Sequence, residues 1–306
     1  MGMNGQAIIF LQNSALKFYD IALSHATDID QIQIIIETGI LKRLAPLLGH
    51  TEVVVQLAAL NTVGEIVKYG TSKQIQAVVG EGILEHFSEI LQHPKEELIE
   101  KALFVLGNVT TSTYARSLLL NQNVLQYFSP LLLHPKEQII QNALWILINV
   151  MSGSVDGVQI VIDAELFQFI LLHLDKVQFA ALRAVGEIVK YGTRKQIQAV
   201  VGEGILEHFS ELLQHSKEEL IEKALFVLGN VTTSTYARSL LLNQNVLQYF
   251  SPLLLHPKEQ IIQNALWILS NVMSGSVDGV QIVIDAELFQ FILLHLDKVQ
   301  KLQVFF

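Results

Sequence analysis

Residues 142–150 read NALWILINV, and residues 264–272 repeat them as NALWILSNV. On a helix turning 100° per residue, with Trp145 as zero, Gln138, Asn149, Asn142 and Gln141 fall near roughly 20°, 40°, 60° and 320°. Ile139, Ile140, Ala143, Leu144, Ile146, Leu147 and Val150 fill the opposite arc. Trp145 therefore stands among amides rather than on the apolar stripe that a helix packs against its neighbours. Ile148 borders the polar face and becomes Ser270 in the second stretch, which predicts an exposed edge. An indole offers a broad apolar, cation-attracting surface, and an asparagine amide both donates and accepts. The pair suits an extended peptide, with a partly buried structural Trp as the alternative.

The recurrence is not confined to nine residues. Residues 57–178 align without a gap on 179–300, with seven differences: Leu57/Phe179, Asn61/Arg183, Thr62/Ala184, Ser72/Arg194, Ile90/Leu212, Pro94/Ser216 and Ile148/Ser270. An older period lies inside this unit. "VGEGILEHFSEILQHPKE" (79–96), "NQNVLQYFSPLLLHPKE" (121–137) and "IDAELFQFILLHLDK" (162–176) share one plan, each followed by a longer helix such as "EELIEKALFVLGNV" or "VQFAALRAVGEIV". Pro94, Pro135 and Pro257 are placed for the first turn of that helix. Positions equivalent to Asn149 fall at 65, 108, 149, 187, 230 and 271. A period of about 41 residues with three helices per repeat is that of an armadillo or HEAT array. Strand signals are poor. The expectation is an all-α, right-handed armadillo-repeat superhelical solenoid spanning 1–306 as one array. Residues 1–56 supply incomplete N-terminal repeats and 301–306 a truncated C-terminal helix ending in apolar Val304, Phe305 and Phe306.

The W-x-x-x-N pair on the third helix of successive repeats resembles the importin-alpha (karyopherin-alpha) family, armadillo adaptors for nuclear-localisation peptides. "ALFVLGNV" (102–109) follows the pattern with Phe for Trp, and "GTSKQIQAVVGEGIL" and "NQNVLQYFSPLL" resemble the family's first and middle helices. The resemblance covers most of residues 15–300. It implies a non-enzymatic, nuclear and cytoplasmic adaptor whose concave face takes basic peptide or protein cargo. Trp145, Asn149, Trp267 and Asn271 match the family's peptide-binding pairs, and Phe104, Asn108, Phe226 and Asn230 match with a smaller ring. Basic side chains would lie between the rings while the asparagines bond the peptide backbone. Neither a cofactor nor a metal, nucleic-acid or membrane partner is implied.

Elsewhere the chain departs from the family. Asn61 and Glu65, then Arg183 and Glu187, stand where Trp and Asn would be, and "GNVTTSTY" has Ser112 near the place of a lysine-holding Asp. Glu97, Glu100, Glu219 and Glu222 share the ring face and are expected to compensate in part, or to be a solvated helix start. Residues 1–14 contain no Lys or Arg, so the family's basic importin-beta-binding segment has no counterpart there. The rival reading is a general armadillo interaction scaffold, or a truncated relative, whose ladder is a relict.

Composition fits either reading. Net charge is −9, against a nucleic-acid binder and for a cationic partner. Hydrophobic residues make up 51% and charged residues 16%, which excludes a disordered chain. No apolar run is long enough to cross a bilayer. With no cysteine there is no disulfide or thiolate metal site. The ten histidines recur with the repeats and form no HExxH motif. "VVGEG" (78–82) lacks the GK[ST] of a phosphate loop and reads as a turn between two short helices.

Overall fold

The structure is a computed structural model that describes residues 5–26, 29–121, 124–174, 178–234, 236, 238, 241, 246–274 and 277–295. Regular structure among these residues is helical, and none of the helices is long and apolar enough to cross a membrane. The chain divides into two compact units, Met1–Val150 and Met151–Phe306. The short helix and apolar tail expected at 301–306 lie outside the described residues.

One repeat shows how the local sequence builds the rest. Thr71 caps the helix Ser72–Gly80 through a reciprocal box: its Oγ1 accepts from the Gln74 amide at 3.3 Å, and Gln74 Oε1 accepts from the Thr71 amide at 2.8 Å. Thr193 and Gln196 repeat the box on Arg194–Gly202. The chain leaves the first helix through Gly82 at φ 79°, where only glycine is unstrained. "VVGEG" is thus a helix end and its turn. A 3₁₀ turn, Ile83–His86, runs into the short helix Phe87–Ile90. Pro94, Pro135 and Pro257 each lie in the turn two residues ahead of a long helix, rather than inside its first turn.

The recurring histidines make that turn. Nδ1 of His93, His134, His215 and His256 accepts the backbone N–H of Lys95, Lys136, Lys217 and Lys258 at 3.0, 3.1, 2.9 and 3.1 Å. A backbone N–H only donates, so each Nδ1 is the acceptor and the ring proton sits on Nε2.

Long helices carry the layer that matters here. In the first unit these are α1 (Gly5–Ser24), α2 (Val53–Tyr69), α3 (Glu96–Val109) and α4 (Glu137–Met151). In the second they are α5 (Gln178–Tyr191), α6 (Glu218–Val231) and α7 (Glu259–Met273). Helix α1 packs on α2 and α2 on α3; likewise α5 packs on α6 and α6 on α7. The first helices of neighbouring repeats are tied too: Gln74 Nε2 donates to Ile29 O at 3.1 Å, and Gln196 Nε2 to Gln159 Oε1 at 2.8 Å. Phe87 and Phe128 are fully buried in one unit, Phe209 and Phe250 in the other.

A further expectation fails. Ile148 is only 3% exposed, whereas Ser270 is exposed. The buried apolar stripe of α4 is broader than its wheel suggested and includes Ile148, so this position is not an exposed edge in the first unit.

Candidate functional site

Each aromatic ring of the ladder rests on a glycine of the preceding long helix. A Cβ on Gly107 of α3 would overlap the six-membered ring of Trp145, and one on Gly229 of α6 would overlap that of Trp267. The Phe positions are looser: a Cβ on Gly64 would lie 3.4 Å from Phe104 Cε1, and one on Gly186 4.0 Å from Phe226 Cε1. Trp145 is half-buried and Trp267 is 38% exposed. The indole is therefore partly buried, a ring seated in a notch with part of its surface left to solvent.

The amides follow the same helix-to-helix logic. Asn149 Nδ2 donates to Gly107 O at 3.1 Å and to Thr110 Oγ1 at 3.2 Å. Thr110 spends its own proton on Gly107 O at 2.9 Å. Both partners must therefore accept, which fixes the amide with nitrogen inward. Asn271 repeats the arrangement on Gly229 O and Thr232 Oγ1, each at 3.2 Å. Asn108 and Asn230 instead donate to the carbonyls of Phe104 and Phe226 on their own helices, both at 2.8 Å. Oδ1 of all four asparagines takes no hydrogen bond among the described residues and remains an acceptor.

Around the rings runs a ladder of side-chain amides. Gln138 Nε2 donates to Asn142 Oδ1 at 3.1 Å and Gln141 Nε2 to Glu137 Oε1 at 2.6 Å, with counterparts at Gln260–Asn264 and Gln263–Glu259. Arg116 Nη1 donates to Asn149 O at 2.6 Å and Arg238 Nη1 to Asn271 O at 3.1 Å, a cation set on the carbonyl end of the helix.

The compensating acids are only half available. Glu100 is ion-paired with Lys136, and Glu222 with Lys258. The carboxylate hydrogen bond raises each lysine above its ordinary pKa of 10.5. These two glutamates are therefore taken, because a lysine one repeat later reaches back to each. Glu97 and Glu219 stay exposed. At Phe226 a cation is already present, with Lys223 Nζ 5.4 Å from the ring centroid.

Sequence reasoning missed the seats, Gly64, Gly107, Gly186 and Gly229, and the hydroxyls of Thr110 and Thr232. A signal existed. Glycine inside a helix costs about 1 kcal/mol relative to alanine, and these four stand at one register of their helices. Where the ladder has Asn61 instead of a ring, an open cavity of about 240 Å³ lies between α1 and α2, lined in part by Asn13, Lys17, Asp20, Leu57 and Asn61. No group of metal-ligating side chains occurs among the described residues.

Stacked three-helix repeats with rings and amides recurring on their third helices define an armadillo-type array. Residues 71–111, 193–233 and 234–274 match the Armadillo/beta-catenin-like repeat family. The chain carries armadillo repeats and has the armadillo-repeat solenoid fold. An engineered protein of known structure is similar at 21% identity and TM-score 0.78, over 90% of this chain and 74% of its own. A designed armadillo repeat protein matches at 26% identity and TM-score 0.66, over 72% and 92%. Another, solved in complex with the peptide (KR)4, matches at 24% identity and TM-score 0.70, over 76% and 98%. No curated protein matches.

Proposed function

We propose that this chain is a non-enzymatic armadillo scaffold that binds extended, basic peptide segments along its ring-and-amide ladders. The carrying observation is the repeated pair of a glycine-seated indole and an asparagine with its nitrogen held inward, at Trp145/Asn149 and again at Trp267/Asn271. Held this way, each Oδ1 is oriented before any ligand arrives, so little side-chain entropy is lost when a peptide N–H donates to it. The exposed part of each ring offers a surface for a Lys or Arg stem. Phe104/Asn108 and Phe226/Asn230 extend the ladder by one repeat in each unit. A designed protein of the same fold takes the peptide (KR)4, and the net charge of −9 favours a ligand of that sign.

The narrower reading is an adaptor for nuclear-localisation-type cargo in cytoplasm and nucleus. It rests on the W-x-x-x-N resemblance, whereas the repeats and the designed neighbours support the general peptide scaffold. Titration of labelled (Lys-Arg)4 peptide by fluorescence anisotropy tests the proposal. Micromolar or tighter binding, weakened at least tenfold in Trp145→Ala/Trp267→Ala with the helical content kept, is expected. Equal binding by both proteins would make the ladder inherited architecture.

A further inference from the structure

The stretch VDGVQIVIDAELFQFILLH occurs twice, at 155–173 and at 277–295, in two different surroundings. In the first, helix Val155–Asp163 packs on α5 and on Arg194–Gly202, and helix Phe167–Leu171 packs on α5, all within the second unit. Val158, Phe167 and Leu171 are buried there. Their counterparts Val280, Phe289 and Leu293 are 37, 41 and 58% exposed. Identical sequence removes any local cause, so the difference lies in the following repeat that covers the first face. The covered stretch therefore states what fits the bare one: the third and first helices of another armadillo repeat.

One polar contact defines the fit more narrowly. Gln33, Gln159 and Gln281 hold one place on three first helices, and each donates Nε2 to an acid four residues on, at 3.0, 2.7 and 2.8 Å. Gln33 Oε1 then accepts from Gln74 at 3.4 Å, and Gln159 Oε1 from Gln196 at 2.8 Å, each a residue of the following repeat. Gln281 Oε1 accepts from nothing among the described residues. The two donors are placed alike, eight residues before a glycine in the left-handed region, Gly82 at φ 79° and Gly204 at φ 88°. Gln31 stands eight residues before Gly39, at φ 80°. Gln74 and Gln196 are buried, whereas Gln31 is exposed.

The repeat that carries Gln31 also has its matching side open. Helix α1 packs on α2, and its Leu16 and Leu23 are buried. Phe10, Phe18 and Ile21 lie roughly 120–200° around the helix from Leu16, and all three are exposed. Within their units α2 and α6 are packed by a long helix on each side. Helix α1 followed by Ile29–Glu37 repeats the order of α5 followed by Arg194–Gly202. At the seat register α7 has Ser270 where α4 has Ile148, which leaves room for a ring of an incoming helix.

We propose that the bare face of one molecule receives the first repeat of a second copy of this chain. Val280, Phe289 and Leu293 pack against α1 and Ile29–Glu37 of the second copy, whose Gln31 donates to Gln281 Oε1. The two faces differ and each copy carries one of each, so the contact is head-to-tail and leaves a face of each kind unfilled. Bare apolar ends are unfavourable in a solenoid, and this contact covers both. It stands apart from the peptide reading, since Trp145 and Trp267 take no part.

The test is sedimentation velocity at rising concentration on wild type, Phe289→Glu/Leu293→Glu and Phe10→Glu/Phe18→Glu. All four positions are exposed, so circular dichroism should show the helical content kept. Wild type is expected to grow in mass beyond two copies as concentration rises. Each variant alone should stay at the monomer mass of 34.2 kDa, and a mixture of the two should give a 1:1 pair that grows no further. Gln281→Ala, which adds no charge, should weaken association about three- to tenfold; unchanged association in it overturns the proposed contact. Wild type that stays monomeric overturns the inference. Assembly released only by deleting residues 296–306 overturns it in favour of the chain's own tail as the cover. Dimers that stop at two copies and survive the loss of one face overturn it in favour of like-with-like pairing.

Discussion

Helices α3 and α4 carry the same device, a ring followed four residues later by asparagine, and they use it differently. On α4 the ring fills its glycine seat and the amide crosses to the preceding helix. On α3 the ring lies more loosely on Gly64 and Asn108 turns back to its own helix. The amide's direction is decided one repeat earlier. Thr110 stands three residues beyond the seat Gly107 and presents a hydroxyl; Val67 stands three beyond Gly64 and presents none. The second unit repeats the contrast, with Val189 before Asn230 and Thr232 before Asn271. A side-chain amide in a repeat array is thus set as much by the neighbouring repeat as by its own.

The sharpest way to break the comparison is at the seats. Gly107→Ala forces the indole out of its notch, a cost of roughly 1–3 kcal/mol that outweighs the better helix propensity of alanine. Gly64→Ala meets only ordinary contact with Phe104 and should stabilise by about 0.5–1 kcal/mol. Urea midpoints of the two variants should therefore move in opposite directions. The emission of Trp145, isolated by Trp267→Phe, should shift to the red only in the first. A shared direction would mean that the seat is not what distinguishes α4 from α3.

A smaller effect belongs to the hydroxyl. Thr110→Val removes an acceptor from Asn149 and a donor from Gly107 O, costing about 1 kcal/mol by urea unfolding. Asn149 should then hydrogen-bond as Asn108 does, to the carbonyl four residues before it. Its side-chain amide resonances in an NMR spectrum would report the change. Resonances that stay in place would assign the inward amide to Gly107 O alone.

Least of all should come from the lysines that reach back one repeat. Glu100 raises the pKa of Lys136, and Glu222 that of Lys258. A raised lysine contributes its stability fully below the unfolded value of 10.5 and loses it as pH climbs through the folded value. Both groups are exposed, so only a slight fall in the urea midpoint above pH 10.5 is expected, and Lys136→Met/Lys258→Met should flatten it. A fall that persists in that variant would assign the alkaline loss to other groups.

Much of this was legible in the chain. The repeats followed from the sequence period, and the shared face of Trp145 and Asn149 from helix geometry, because four residues make one helical turn; the caps at Thr71 and Thr193 are equally local but went unread. The seats were legible in principle. Gly64, Gly107, Gly186 and Gly229 each precede a repeat bearing Phe104, Trp145, Phe226 or Trp267. Ile148 holds the same register, and the long helix after it carries Arg183 with no ring to accommodate. The capture of Glu100 was not legible, since a wheel shows which face an acid shares but not what arrives there.

The sequence by itself determined that the chain is a stack of three-helix repeats, and that its rings and amides share a face. Those are properties of one helix and its period. Tertiary structure alone decided that the indole sits half-sunk on Gly107, that the Asn149 nitrogen points inward, and that Lys136 occupies Glu100. Each of these joins residues 36 to 42 positions apart. At that separation only the packing of one repeat on the next brings the groups together.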